Sequence, residues 1–121
     1  MEVNSKNEIQ VSAGIGGVIT SPQYPQHYPG NIDCVWNITA TAGKRLKFAF
    51  LGTFDLERGK DYVEIRDGST NTSFLLGQFS EVKPTKLVYT SGPQAFVRFK
   101  TDQYFSYKGF YLMYETVKQG E

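Results

Sequence analysis

The chain has 121 residues, 40% of them hydrophobic and 15% aromatic, enough for one domain around a single core. Formal net charge is +1, and apart from Lys44, Arg45 and Lys47 the cations are dispersed, which argues against a nucleic-acid partner because a phosphate-backbone binder needs a basic face. The longest apolar stretches fall far short of the roughly 20 residues of a membrane-spanning helix, so no membrane insertion by this segment is expected.

The chain opens with a polar segment, residues 1–13, expected to be flexible or partly ordered; one domain over 14–116 and a polar tail over 117–121 follow. Met1 to Asn7 lacks the apolar stretch of a secretory signal, so a secreted protein with this sequence would have lost its signal or be part of a longer chain. Ser21 to Pro29 contains Pro22, Pro25 and Pro29, which fix φ and push their predecessors into extended conformation, so this run is not helical.

Strand patterns come next. Cys34, Trp36 and Ile38 alternate with Val35, Asn37 and Thr39, and Leu46, Phe48 and Phe50 with Arg45, Lys47 and Ala49. The Asp61 to Gly68 run places Val63 and Ile65 on one face and Tyr62, Glu64 and Arg66 on the other. Val97 and Phe99, then Phe110, Leu112 and Tyr114, repeat the period. Turn signals at Pro29-Gly30-Asn31, Ala42-Gly43, Arg58-Gly59, Asp67-Gly68 and Ser91-Gly92-Pro93 separate these runs. Many short strands at such intervals predict an all-β, two-sheet antiparallel β-sandwich. Trp36, Phe48, Phe50, Val63, Ile65, Val97, Phe99, Phe110 and Leu112 hold the inward positions.

No nucleophile elbow, metalloprotease helix motif or phosphate-binding glycine loop is present, so no enzymatic activity is expected. The single His27 has no Cys/His protease signature around it and reads as an exposed loop histidine. Cys34 alternates with Trp36 and Ile38 and reads as a buried, inert thiol, with a reactive thiol or an intermolecular disulfide as the alternative. Glu57 and Asp61 bracket a short Gly-containing loop between two strands, and Asp102 follows another strand; by themselves, acidic loop residues are as readily solvated surface as ligands. Tyr104, Phe105 and Tyr107 crowd one loop beside Asp102, either covering the sandwich edge or forming a contact surface. Asn37-Ile38-Thr39 and Asn71-Thr72-Ser73 fit the N-glycosylation pattern, and Asn37 points away from Trp36.

Several separated motifs, in one order, resemble a CUB domain from about Gly16 to Glu115. They are Gly17-Val18-Ile19-Thr20-Ser21-Pro22 with its two following Tyr-Pro pairs, Cys34-Val35-Trp36-Asn37-Ile38, Phe54-Asp55-Leu56-Glu57, the Asp61 to Gly68 strand, Leu75-Leu76-Gly77, and Phe99-Lys100-Thr101-Asp102 ahead of Gly109-Phe110. The resemblance implies a jelly-roll-like sandwich in an extracellular protein, secreted or an ectodomain, whose loops bind one Ca²⁺ and engage a Lys or Arg of a protein partner. It implies Glu57, Asp61 and Asp102 as the metal ligands, Tyr28 as their supporting hydroxyl, and Tyr28, Tyr104, Phe105 and Tyr107 as a partner-binding edge. In metal-free protein, alanine at Asp61 or Asp102 is then expected to be neutral or slightly stabilising, because it relieves repulsion between carboxylates. Cell adhesion is among the roles expected of such an extracellular module; a calcium-free structural or oligomerisation module and a carbohydrate-binding module stand as alternatives.

The chain departs from the family in its cysteines. Two disulfides are usual and this chain has one cysteine; the partner of Cys34 would fall near Ile9 to Val11, and the second pair is replaced around Arg58 and Phe79. One cysteine is also what a cytosolic protein would show, but a sandwich of this length buries enough apolar surface to fold without disulfides.

Overall fold

The computed structural model describes residues 3–102 and 105–119. The described residues form β1 (Val3–Val11), β2 (Gly16–Thr20), β3 (Ile32–Ala40), β4 (Lys44–Asp55), β5 (Tyr62–Asp67), β6 (Phe74–Phe79), β7 (Val88–Tyr89), β8 (Gln94–Lys100) and β9 (Gly109–Lys118). They make two sheets, β1-β3-β8-β5-β6 and β2-β9-β4-β7. The sandwich architecture is as the alternation of apolar residues predicts. Pairing is antiparallel throughout except between β1 and β3, which run parallel because β2 crosses to the other sheet between them.

The inward sides of both sheets form one core. Phe48, Phe50, Val63, Ile65, Val97, Phe99, Phe110 and Leu112 are all buried as expected. Phe110 is its hub: its ring meets Phe99 at 5.0 Å, Phe50 at 6.3 Å and Trp36 at 6.4 Å, all in edge-to-face geometry. Trp36 differs from expectation, being only partly buried against this cluster. It takes an inward position on β3, but the indole is too large to be enclosed there.

The N-terminal segment also differs. Residues 3–11 are a strand that pairs with β3 along its whole length, from Val3 opposite Ile32 to Val11 opposite Ala40. Among the described side chains of β1, Ile9 and Val11 join the core, so the pattern is weak in sequence, and the backbone ladder to β3 supplies the rest of the binding. At the other end β9 runs on to Lys118, past the boundary expected at 116.

The register of β1 corrects the expected position of a Cys34 partner. Ser5 lies opposite Cys34, whereas Ile9 lies opposite Ile38, four residues along. At about 3.3 Å per residue that is roughly 13 Å, beyond disulfide reach. Cys34 itself is free, 3% exposed and part of the core, which supports the inert-thiol reading.

The proline-rich loop between β2 and β3 is fastened to β9. Ser21 is fully buried, and its hydroxyl accepts from the Phe110 amide at 3.1 Å. Gly109 has φ +95°, and a Cβ there would stand 1.8 Å from Ser21 Oγ, so glycine is required on both counts. This fixes the loop that carries Tyr28.

Candidate metal centre

Three connections meet at one end of the sandwich: β2–β3 brings Tyr28, β4–β5 brings Glu57 and Asp61, and β8–β9 brings Asp102. One carboxylate oxygen from each of Glu57, Asp61 and Asp102 lies within 4.8 Å of the others. The three residues expected as ligands are therefore brought together.

The β4–β5 loop owes its shape to local chemistry. Leu56 anchors it in the core, and the chain then turns so tightly that the Lys60 and Asp61 amides both donate to Glu57 O, at 3.2 and 3.0 Å. Gly59 sits at φ +72°, in the left-handed region that glycine adopts freely. The hydroxyl of Ser80, just beyond β6, closes the loop by accepting from the Gly59 amide at 2.9 Å and donating to Asp61 O at 2.6 Å. Around Arg58 and Phe79, where the family's second disulfide is replaced, Phe79 packs on the core with its ring 5.2 Å from that of Phe50, and the residue after it ties the loop. Ser80 carries no signal in the sequence, because a serine after a strand reads as turn.

Asp61 is fully buried and held from two sides. The Tyr28 hydroxyl donates to Oδ2 at 2.5 Å, and the Asp102 amide donates to Oδ1 at 3.0 Å. Burial pushes the Asp61 carboxyl above its usual range, and these two hydrogen bonds oppose the rise. Tyr28 is pushed far up by its own burial and by the hydrogen bond to Asp61, so it stays protonated and its direction of donation is fixed. It also accepts from the Glu57 amide at 3.3 Å, joining two of the three acidic residues through one oxygen.

Glu57 is raised as well, first by loss of hydration, then by the hydrogen bond with the Asp102 side chain and by the negative charges of Asp102 and Asp61. Its Oε1 is buried and has no hydrogen-bond partner. Two carboxyls in hydrogen-bonding contact need either a proton between them or a cation beside them. The Asp102 backbone is fixed independently: Thr101 exchanges two hydrogen bonds of 2.9 Å with Ile32, and Asp102 O accepts from the Asn31 amide at 3.0 Å. The groups that converge here among the described residues are carboxylate oxygens, the chemistry of a hard divalent cation.

The expected partner-binding edge is rearranged. Tyr28 is 1% exposed with its ring edge-on to Phe99, so it supports the carboxylates and offers no surface to a partner; this corrects its place in that edge. Its backbone amide donates to Tyr107 O at 3.0 Å and its hydroxyl donates to Asp61, so both polar groups keep partners when the residue is buried. Phe105 is 62% exposed and Tyr107 lies open beside His27. Tyr104 lies outside the described residues. Asn71 is exposed on the β5–β6 turn, whereas Asn37, expected on an open face, is half-buried.

The family model for the CUB domain matches residues 9–114. Rat (Rattus norvegicus) cubilin is 41% identical over 106 residues, covering 84% of this chain and 3% of that protein, so the chain spans a small part of the relative's length. Among solved structures, the MASP-1 CUB2 domain bound to Ca²⁺ superposes with a TM-score of 0.76 at 27% identity, over 90% of this chain and 96% of that one. The full extracellular region of zebrafish Gpr126/Adgrg6 matches with a TM-score of 0.75 at 30% identity, over 90% of this chain and 14% of that one.

Proposed function

The chain belongs to the CUB domain family, and from that premise we propose that it is an extracellular module that binds one Ca²⁺ through Glu57, Asp61 and Asp102 and engages a Lys or Arg side chain of a protein partner. CUB domains are protein-interaction modules of extracellular proteins and are generally non-catalytic.

The observation that carries the calcium reading is the buried, unpartnered Oε1 of Glu57 within a cluster of three carboxylates drawn from two connections. Such an atom is costly unless something satisfies it. A bound Ca²⁺ would supply the positive charge that lets all three groups ionise side by side. The chain's own residues do the remainder: Tyr28 and the Asp102 amide hold Asp61 in place, and Ser80 holds the loop that carries Glu57. The exposed Phe105 and Tyr107 beside Asp102 supply apolar contact around a carboxylate that can receive a partner's cation. One observation favours a calcium-free structural module instead: Glu57 and Asp102 are in hydrogen-bonding contact, so a shared proton can also hold the loops together.

Calorimetric titration of EGTA-treated protein separates the two. Binding with a dissociation constant of about 10⁻⁴–10⁻³ M is expected, as for other extracellular calcium sites. At a tenfold to twentyfold excess over that constant, folding gains about 1.4–1.8 kcal/mol and the melting temperature rises by several degrees. Glu57→Gln and Asp102→Asn keep side-chain shape and remove charge, and each should abolish the shift. A well-folded protein with no heat and no shift at millimolar Ca²⁺ would leave the calcium-free module as the function.

A further inference from the structure

The outer side of the five-stranded sheet is not a flat solvent face. It holds a cleft of about 610 Å³, within the roughly 300–1,000 Å³ of small-ligand sites. Val35 of β3 and Phe96 of β8 line it and are only 8% and 7% exposed, though neither belongs to the core between the sheets. Lys6 of β1 and the Ser69 to Asn71 turn border it, together with Arg98, whose guanidinium is fixed by two hydrogen bonds of 2.8 Å to Asp33.

Both glycosylation tripeptides open onto this one cleft, and the fold separates them. Asn37 lies in the middle of β3, paired with Glu8 of β1 on one side and Phe96 of β8 on the other, and its Oδ1 is buried. A sugar on that amide would have to be accommodated within a row of cross-strand neighbours. Asn71 is exposed on the turn between β5 and β6. The turn is stiffened around it, with the Ser73 amide donating to Thr70 O at 3.1 Å and the Thr72 amide to Thr70 Oγ1 at 3.3 Å. The Asn71 side chain itself makes no hydrogen bond among the described residues.

We propose that Asn71 carries an N-linked glycan whose first N-acetylglucosamine lies in this cleft. The cleft's chemistry matches: amides and hydroxyls for the sugar's hydroxyl and acetamido groups, a positioned guanidinium, and an apolar floor for the ring. The modification forms a bond from Asn71 Nδ2 to the anomeric carbon of an oligosaccharide supplied on a lipid pyrophosphate. The anomeric carbon–oxygen bond breaks, the lipid pyrophosphate leaves with the electron pair, and the amide nitrogen gives up one proton. The site rests on the extracellular part of the function proposed above and not on calcium. β5 starts at the acidic loops and ends at this turn, so the glycan is attached at the far end and its cleft runs along the outer face toward Asn4 and Asp33.

The test is to secrete the chain from mammalian cells behind a signal peptide and measure its intact mass, with Asn71→Gln, Asn37→Gln, and Asn71→Asp should the glutamine variant fail to fold. One glycan is expected on the parent and on Asn37→Gln, and none on either Asn71 variant. After trimming to a single sugar, hydrogen exchange at Asn4 to Lys6 and Ser69 to Asn71 should be several-fold slower than in the Asn71 variant. An unmodified Asn71, a glycan at Asn37, or equal exchange with and without the sugar would overturn the proposal.

Discussion

At the scale of single residues, Asp61 shows how burial reverses an expectation. Repulsion alone makes alanine neutral or slightly stabilising in metal-free protein. The fold aims the Tyr28 hydroxyl and the Asp102 amide at this carboxylate inside the protein, so truncation strands two donors. Asp61→Ala should destabilise by about 1–3 kcal/mol in urea unfolding, with or without Ca²⁺. Unchanged stability in EGTA would mean that relief of repulsion outweighs both hydrogen bonds. Cys34 poses a simpler case: at 3% exposure its thiol should react with a maleimide only as fast as the protein unfolds, and rapid labelling of the native state would place it elsewhere.

At the scale of elements, β1 carries the most testable consequence. It shields the edge of β3 that would otherwise present nine residues of unpaired backbone, and its exposed Lys6 and Glu8 keep the new edge polar. Removing residues 1–8 should lower the melting temperature and promote association at the bared β3 edge, read by light scattering. A truncated chain that stays monomeric and equally stable would make β1 dispensable. The β4–β5 loop is the second such element, where one serine hydroxyl takes the position of a covalent link; a hydroxyl holds only while its hydrogen bonds are dry, so the loop's order depends on the packing around Ser80.

At the scale of the whole molecule, the acidic end gives stability a definite pH dependence. Glu57 and Asp61 both have raised values in the folded state. Their contribution is fully present below the unfolded carboxylate range, about pH 4, and is lost as pH rises through the raised values. In EGTA the melting temperature of the parent, relative to Glu57→Gln, should therefore fall as pH rises above about 4. Ca²⁺ should offset that fall at neutral pH and have progressively less effect on acidification, as protons compete for the same oxygens. Asp33 does not confuse the measurement, since hydrogen bonds from Arg98 hold it below its usual value and it stays ionised across this window. A difference between parent and variant that is flat with pH would show that the cluster carries no linked proton.

The sequence alone determined the sandwich, because a period of two in β3, β4, β5, β8 and β9 makes one side of each strand the more apolar, and such sides face one another. It also gave the three acidic residues through the order of motifs around them. It could not place β1, whose core residues Ile9 and Val11 make almost no pattern, nor Ser80 and Thr101, whose hydroxyls act through backbone groups distant in sequence. Only the tertiary structure decided that Tyr28 faces inward, that Val35 and Phe96 floor a cleft on an outer face, and that Asn37 and Asn71 meet there. Such facts depend on which strands become neighbours and in what register, and long-range pairing sets both.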